Sequence, residues 1–510
     1  MKKLLFLFLL VCSFGAFSQS VTITHNGITP NQGGVQKLTY DQIRQLPNPQ
    51  EGDLAYDLTF NCLRHYNGTE WLCVTQENSL IPNAAIVKLL TSSSVEPTGL
   101  ELDSQENIII MGVFNGTINF GTTSLTSINS DMFLAKYDKH GNEIWALQEG
   151  ENSDSQVFPS QIAIDNADNI YVSGSFWGRA QFGINVYVAA VVDMFLVKYN
   201  SSGVTQFTKR YVSGDGVKIT GLSVDIAQNI YSCGSFNSTI TLGTSTFTNS
   251  DTEEDAFVIR HNSDGNLAWS NQVIYTNEKA NVLLTSDLIG NLYFCVNHIR
   301  EVSFLSTSYF SSGGADFKLF KLNNAGALVW VESINGSGNQ TVQRIQSYGS
   351  KVGVVGTFGS SFTFLNQSIS SLSSTLTDHS FILQFNGTNR SLLWQTIIHS
   401  SSFQGDYALD HDALGNAYIG LVYSSNIEAE PFFFQSINSS TDISFLKFSG
   451  SSGEILEAKS IGGIGIDALR GIQIRTANGK VFLASKHYDS SLFIGTEKIP
   501  KDASAIIVLD

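Results

Sequence analysis

Three sets of residues in this 510-residue sequence have types and spacings that could do chemistry. The first is a recurring acidic turn: Asp103 with Asn107, Asp165 with Asn169, Asp225 with Asn229, Asp287 with Asn291 and Asp412 with Asn416. A carboxylate and an amide at that spacing suggest calcium, but calcium takes about six to eight oxygens and so short a turn offers too few. An Asp side chain that caps backbone N–H groups accounts for the recurrence better. The second set is His298 and His487, which stand where other copies of the same segment carry Phe114, Phe176, Phe236, Phe358 or Tyr423. Two imidazoles are too few for a tetrahedral metal site, so the expectation is a histidine filling an aromatic slot, with no metal. The third set is the cysteines. Cys62 and Cys73 flank Asn67-Gly68, a strong hairpin signal, and a two-residue turn there places Tyr66 opposite Thr69, Arg64 opposite Trp71 and Cys62 opposite Cys73. Facing residues of a hydrogen-bonded pair lie about 5.5 Å apart, within reach of a disulfide. Cys233 and Cys295 occupy equivalent positions of neighbouring copies, too far apart to bridge, and are expected to be buried free thiols.

No Gly-x-Ser-x-Gly elbow, His-Glu-x-x-His, Cys-x-x-Cys or phosphate-cradling Gly-Lys-Ser/Thr occurs, and no cofactor is expected. A residue present in nearly every copy serves the fold, whereas a ligand site should break the repeat. By that rule the candidate partner-binding residues are Trp177 and Arg179 in the second copy and His298 and Arg300 in the fourth. Trp and Arg are common at interaction hot spots. Asp251, Glu253, Glu254 and Asp255 form an acidic run that reads as a solvated loop. The formal charge of −16 argues against nucleic acid as a partner.

The elements that carry these residues repeat about every 60 to 65 positions from residue 83 onward, giving seven copies. Each copy opens with the Asp turn and an apolar run such as Ile170-Tyr-Val-Ser-Gly-Ser-Phe176. A Phe-Gly pair follows (Phe120-Gly121, Phe182-Gly183), then an Asp-led strand such as Asp193-Met-Phe-Leu-Val-Lys198-Tyr199. A Gly turn leads to a last strand bearing Trp145, Phe207, Trp269, Trp330 or Trp394. Short β-branched and aromatic runs split by Gly, Asn, Asp and Ser are strands, four to a copy. The composition, with 34 Phe, 44 Gly and only 15% charged residues, excludes disorder and a coiled coil. Ile506–Leu509 aligns with the third strand of a seventh copy, and the segment from Asn83 to Leu90 aligns with its fourth, placing Val87 at the tryptophan position. A ring closed by that N-terminal strand explains both.

The expected fold is therefore all-β. It is a seven-bladed β-propeller of four-stranded antiparallel blades over 81–510, its last blade closed by the N-terminal strand. The Asp-x-x-x-Asn-Ile-Tyr-Val-x-Gly-x-Phe and Asp-x-Phe-Leu-x-Lys-Tyr patterns resemble the bacterial seven-bladed propeller (SBBP) repeat. Residues 19–80 form a small β-hairpin module ahead of the ring. Gly52-Asp-Leu-Ala-Tyr56-Asp57 and Tyr66-Asn-Gly-Thr-Glu-Trp71 are similar to a short N-terminal module of exported bacterial proteins and fibre-like adhesins. Residues 1–18, with Lys2, Lys3 and the apolar run Leu4–Val11, read as a signal peptide. Export to the periplasm, the outer membrane or the medium is expected, with no transmembrane segment. The function expected is a non-catalytic scaffold that binds a protein or glycan through loops on one face. The alternative is a polysaccharide hydrolase or lyase with a carboxylate site at the propeller channel. Oligomeric state is not written in the sequence.

Overall fold

The computed structural model of the protein describes residues 21–24, 27–30, 35–38, 42–43, 45–57, 62–66, 68, 71–73, 84–90, 94–150, 155–249, 251–312, 314–334, 336–371, 378–436, 441–461, 473–477, 480–486, 492–494, 497–499 and 504–509. The expected signal peptide and His487 lie outside them. Two compact units divide the chain after Asn78.

In the first unit, Gln36–Leu38, Leu54–Asp57, Cys62–Tyr66 and Trp71–Cys73 form one sheet over a small core of Ile43, Ala55 and Trp71. Its hairpin corrects the expected register. Tyr66 pairs with Trp71 and Arg64 with Cys73, so four residues sit in the loop instead of two. Cys62 lies opposite Asp57 on the other neighbouring strand. The longer loop lets the Tyr66 and Trp71 rings pack at 5.5 Å while Trp71 reaches the core. The buried Arg64 donates from Nη1 to the Trp71 carbonyl at 3.0 Å. Cross-strand aromatic packing has outweighed the Asn-Gly turn preference. Cys62 and Cys73 are thus offset by two positions instead of facing each other, and their side chains lie outside those described.

The second unit is all-β, a repeat β-propeller. Its second repeat shows the plan: Ser155–Ile164, Ile170–Phe182, Asn185–Tyr199 and Thr205–Tyr211 pair antiparallel in sequence order. The inner strands Ser94–Leu102, Ser155–Ile164, Val217–Val224, Asn281–Ser286, Gln340–Tyr348, the second half of Leu392–His411, and Gln473–Ala477 neighbour one another in that order. The last returns to the first, around a channel. Ala84–Leu90 pairs antiparallel with Ser504–Leu509 as the fourth strand of a sheet with Gln473–Ala477 and Lys480–Lys486. Val87 falls in the bulge of that pairing, not at the tryptophan position.

The recurring residues serve this plan. Asp165 accepts the Ala167 and Asn169 N–H groups on Oδ1, and the Asn169 amide and Tyr171 hydroxyl on Oδ2. Both of its oxygens are thus committed to a turn cap. Lys136 bridges Asp103 of its own repeat, at 2.8 Å, and the Ser201 carbonyl of the next. The repeated aromatic of the outer strand packs on the Gly turn of the following repeat. Trp269 donates from Nε1 to the Asn324 carbonyl, and a Cβ on Gly326 (φ +80°) would lie 2.9 Å from its indole. Gly326→Ala should therefore cost about 2–4 kcal/mol, from the positive φ and the overpacked ring together. An unchanged urea midpoint would show that the Trp–Gly contact is not needed.

Candidate functional site

Residues that depart from the repeat form two groups placed where a ligand or partner can reach them. One is the ribbon formed by the second and third strands of the second repeat. Phe176 fills the repeat's aromatic core slot, and the next residue, Trp177, is 45% exposed. Alternation then separates the two faces of the ribbon. Ala180, Phe182 and Ala189 point into the core, while Arg179 stands opposite Val188, and Gln181 opposite Val186, on the outer face. Val186 and Val188 are exposed, and Phe158 of the inner strand, on the Trp177 side, is exposed as well. The outcome is an apolar strip carrying an aromatic and a guanidinium.

His298 is different. It is 1% exposed and sits in the aromatic slot, with its Nδ1 2.9 Å from the Arg300 carbonyl. Burial, and behind it the nearby Lys318, pushes its pKa down. The expectation that His298 offers a contact surface is corrected: a side chain closed in by its own sheet cannot touch a partner. Lys318, also buried, stands where the first three repeats carry Phe133, Phe195 and Phe257, so this repeat has exchanged an aromatic pair for a polar one. Arg300 is exposed, and its N–H and that of Ile299 are held by Glu278. The Trp177/Arg179 and His298/Arg300 pairs belong to the second and fourth repeats, with the third between them. Cys233 and Cys295 are buried and free; burial pushes the Cys233 thiol up to about 12, which leaves it an inert core group.

The second place is the channel, a cavity of about 310 Å³ lined by the inner strands. One layer of that lining comes from the residue paired with the second position after the repeat Asn. In the second to fourth repeats it is Ala163, Ser223 and Thr285. In the fifth, sixth, seventh and first it is Gln346, Asp410, Arg475 and Glu101, of which Asp410 stands behind Gln346 and does not itself line the cavity. These four form a continuous arc. Gln346 donates to Asp410 Oδ1 at 2.8 Å, and Asp410 Oδ2 accepts the Thr476 N–H at 2.7 Å. Arg475 grips Glu101 with Nε and Nη2 at 2.7 and 2.6 Å. Sequence reasoning missed this arc, although its signal was present: Glu101 and Asp410 stand two residues before a repeat Asp, where the second and third copies have Ala163 and Ser223.

No family model matches the chain. Among curated proteins it is 25% identical to an uncharacterized WD repeat-containing protein of Acanthamoeba polyphaga mimivirus, over 39% of this chain and 17% of that one. The chain thus spans under a fifth of that relative's length. Among solved structures, a protein of unknown function from Dyadobacter fermentans aligns at 10% identity, with TM-score 0.38, over 71% of this chain and 97% of that one. A protein of unknown function from Bacteroides caccae aligns at 10% identity, with TM-score 0.32, over 64% and 89%. Quinohemoprotein alcohol dehydrogenase from Comamonas testosteroni aligns at 8% identity, with TM-score 0.35, over 92% and 82%. At TM-scores this low none bears on what the chain binds.

Proposed function

We propose that the chain is an exported, seven-bladed propeller scaffold that binds a protein or glycan partner through the outer ribbon of its second repeat. The observation that carries this reading is Trp177, half exposed beside Arg179 and a strip of exposed valines, on a sheet whose other face is fully packed. Large apolar area exposed without a packing role marks an interaction site, and an aromatic beside a guanidinium is the usual composition of a hot spot. The ring of inner strands and the strand Ala84–Leu90 support seven blades and closure by the N-terminal strand. Export rests on the sequence of the first eighteen residues.

Capture from bacterial envelope extracts and on a glycan array tests the binding surface. Trp177→Ala with Arg179→Ala should lower retention of the captured partner at least about tenfold, the loss of one hot-spot contact. His298→Phe, which restores the repeat aromatic, should leave retention as it was. The same partner retained by the double variant would move the site elsewhere.

The hydrolase reading finds less support in the channel. Glu101 has both oxygens on Arg475, and both oxygens of Asp410 are taken by Gln346 and Thr476. Both carboxylates are held by protein groups, whereas a general acid needs a carboxyl turned within hydrogen-bond reach of the substrate.

A further inference from the structure

The geometry points to a second, separate site: we propose that the channel binds a neutral, hydroxyl-rich small molecule of monosaccharide size. In a chain of near-copies, a lining that only packs would use the same residue in every repeat. This one is divided. Ala163, Ser223 and Thr285 line one side with small side chains, while the opposite side carries the arc from Gln346 to Glu101. The cavity's 310 Å³ falls at the lower end of the range of small-ligand pockets.

Charge selects the ligand class. Glu101, Arg344 and Arg475 line the cavity, and Asp410 stands behind Gln346. Two carboxylates and two guanidiniums balance, so the site has no net attraction for an ion. Polarity selects further. Thr98 Oγ1 and Gln346 Oε1, both from lining residues, are buried with no hydrogen-bond partner among the described residues. Gln346 Oε1 can only accept, so a turn of the amide toward the cavity would offer it to a ligand O–H or N–H. A hydroxyl both donates and accepts, which suits an arc that offers amide, carboxylate and guanidinium groups in turn. The source of such a ligand is either a free sugar or the end of a glycan chain; the recognising chemistry is the same.

The test is ligand-observed NMR and calorimetry with D-glucose, N-acetyl-D-glucosamine and myo-inositol, each sugar also presented as the terminal residue of a short oligosaccharide. The expectation is saturable binding of at least one probe, weakened about tenfold by Gln346→Leu, the worth of one hydrogen bond. Ala163→Trp, which places a bulky side chain in the lining away from the strands that carry the arc, should abolish it, and Val204→Ser on an exposed turn should change nothing. Binding of the free sugar identifies a soluble ligand, and binding of the oligosaccharide alone identifies a chain end; both support the site. No saturable binding by any probe, or binding indifferent to both channel variants, overturns it. Neither result touches the outer ribbon, whose partner is read through Trp177 and Arg179.

Discussion

Arg475→Ala is expected to lower the stability of the propeller by about 2–4 kcal/mol, because it leaves the Glu101 carboxylate uncompensated in a narrow channel. Arg475 belongs to the last inner strand and Glu101 to the first, so their two hydrogen bonds, at 2.6 and 2.7 Å, lie across the seam where the chain meets itself. Elsewhere round the ring the same layer clasps with neutral or singly charged groups: Ser223 accepts from the Ser286 N–H, and Thr285 from the Ser347 N–H. Only the removal of one partner should be severe. Replacing both charges with apolar residues of similar volume should recover most of the loss. Urea unfolding of Arg475→Met, Glu101→Met and the double variant measures the coupling. Additive single effects would show that the seam does not depend on the pair.

Acid should destabilise the protein strongly before its carboxylates titrate fully. His261 is buried, with its ring 2.5 Å from the Tyr211 hydroxyl through Nε2 and with no partner for Nδ1 among the described residues. Burial, reinforced by Lys209 and Arg260, pushes its pKa down to about 3. His411, stacked on Tyr348 and, among the described residues, also without a partner for Nδ1, is pushed down to about 4 by burial. A base whose folded pKa is depressed binds its proton more readily unfolded. Stability is then complete above the ordinary pKa near 6.5 and falls as pH drops towards 3 or 4. At about 1.4 kcal/mol per unit, the two together could remove on the order of 5 kcal/mol or more by pH 3. Glu149 has the opposite sign. Burial lifts its carboxyl to about 7, so its contribution is complete below about 4.5 and lost as pH rises through 7. His411→Gln should flatten the acid limb of the stability curve and Glu149→Gln the neutral limb. A wild-type curve level from pH 7 to 4 would sink this account of the histidines.

The blade was legible in the sequence because period-two alternation and turn residues recur, and each recurrence averages out local noise. The capping role of Asp165 and the burial of Cys233 follow from that recurrence and are seen in the structure. The Cys62 hairpin occurs once, so turn propensity was the only guide there, and the Tyr66–Trp71 contact overrode it. The candidate site was half legible. Trp177 stands out because a blade has no use for an exposed indole. His298 misled because an aromatic slot and a surface loop are one residue apart in sequence and on opposite sides of the sheet in space. The arc from Gln346 to Glu101 is assembled from four repeats, and only the closing of the ring makes its members neighbours.

A partner docked on the outer face of the second repeat, as proposed, would cover Trp177. Hydroxyl-radical footprinting of the protein with and without its captured partner tests this most directly, because tryptophans elsewhere serve as internal references. Trp177 is expected to be protected on binding while Trp145 and Trp269, packed against neighbouring turns, keep their reactivity. Unchanged reactivity of Trp177 in the complex would contradict it.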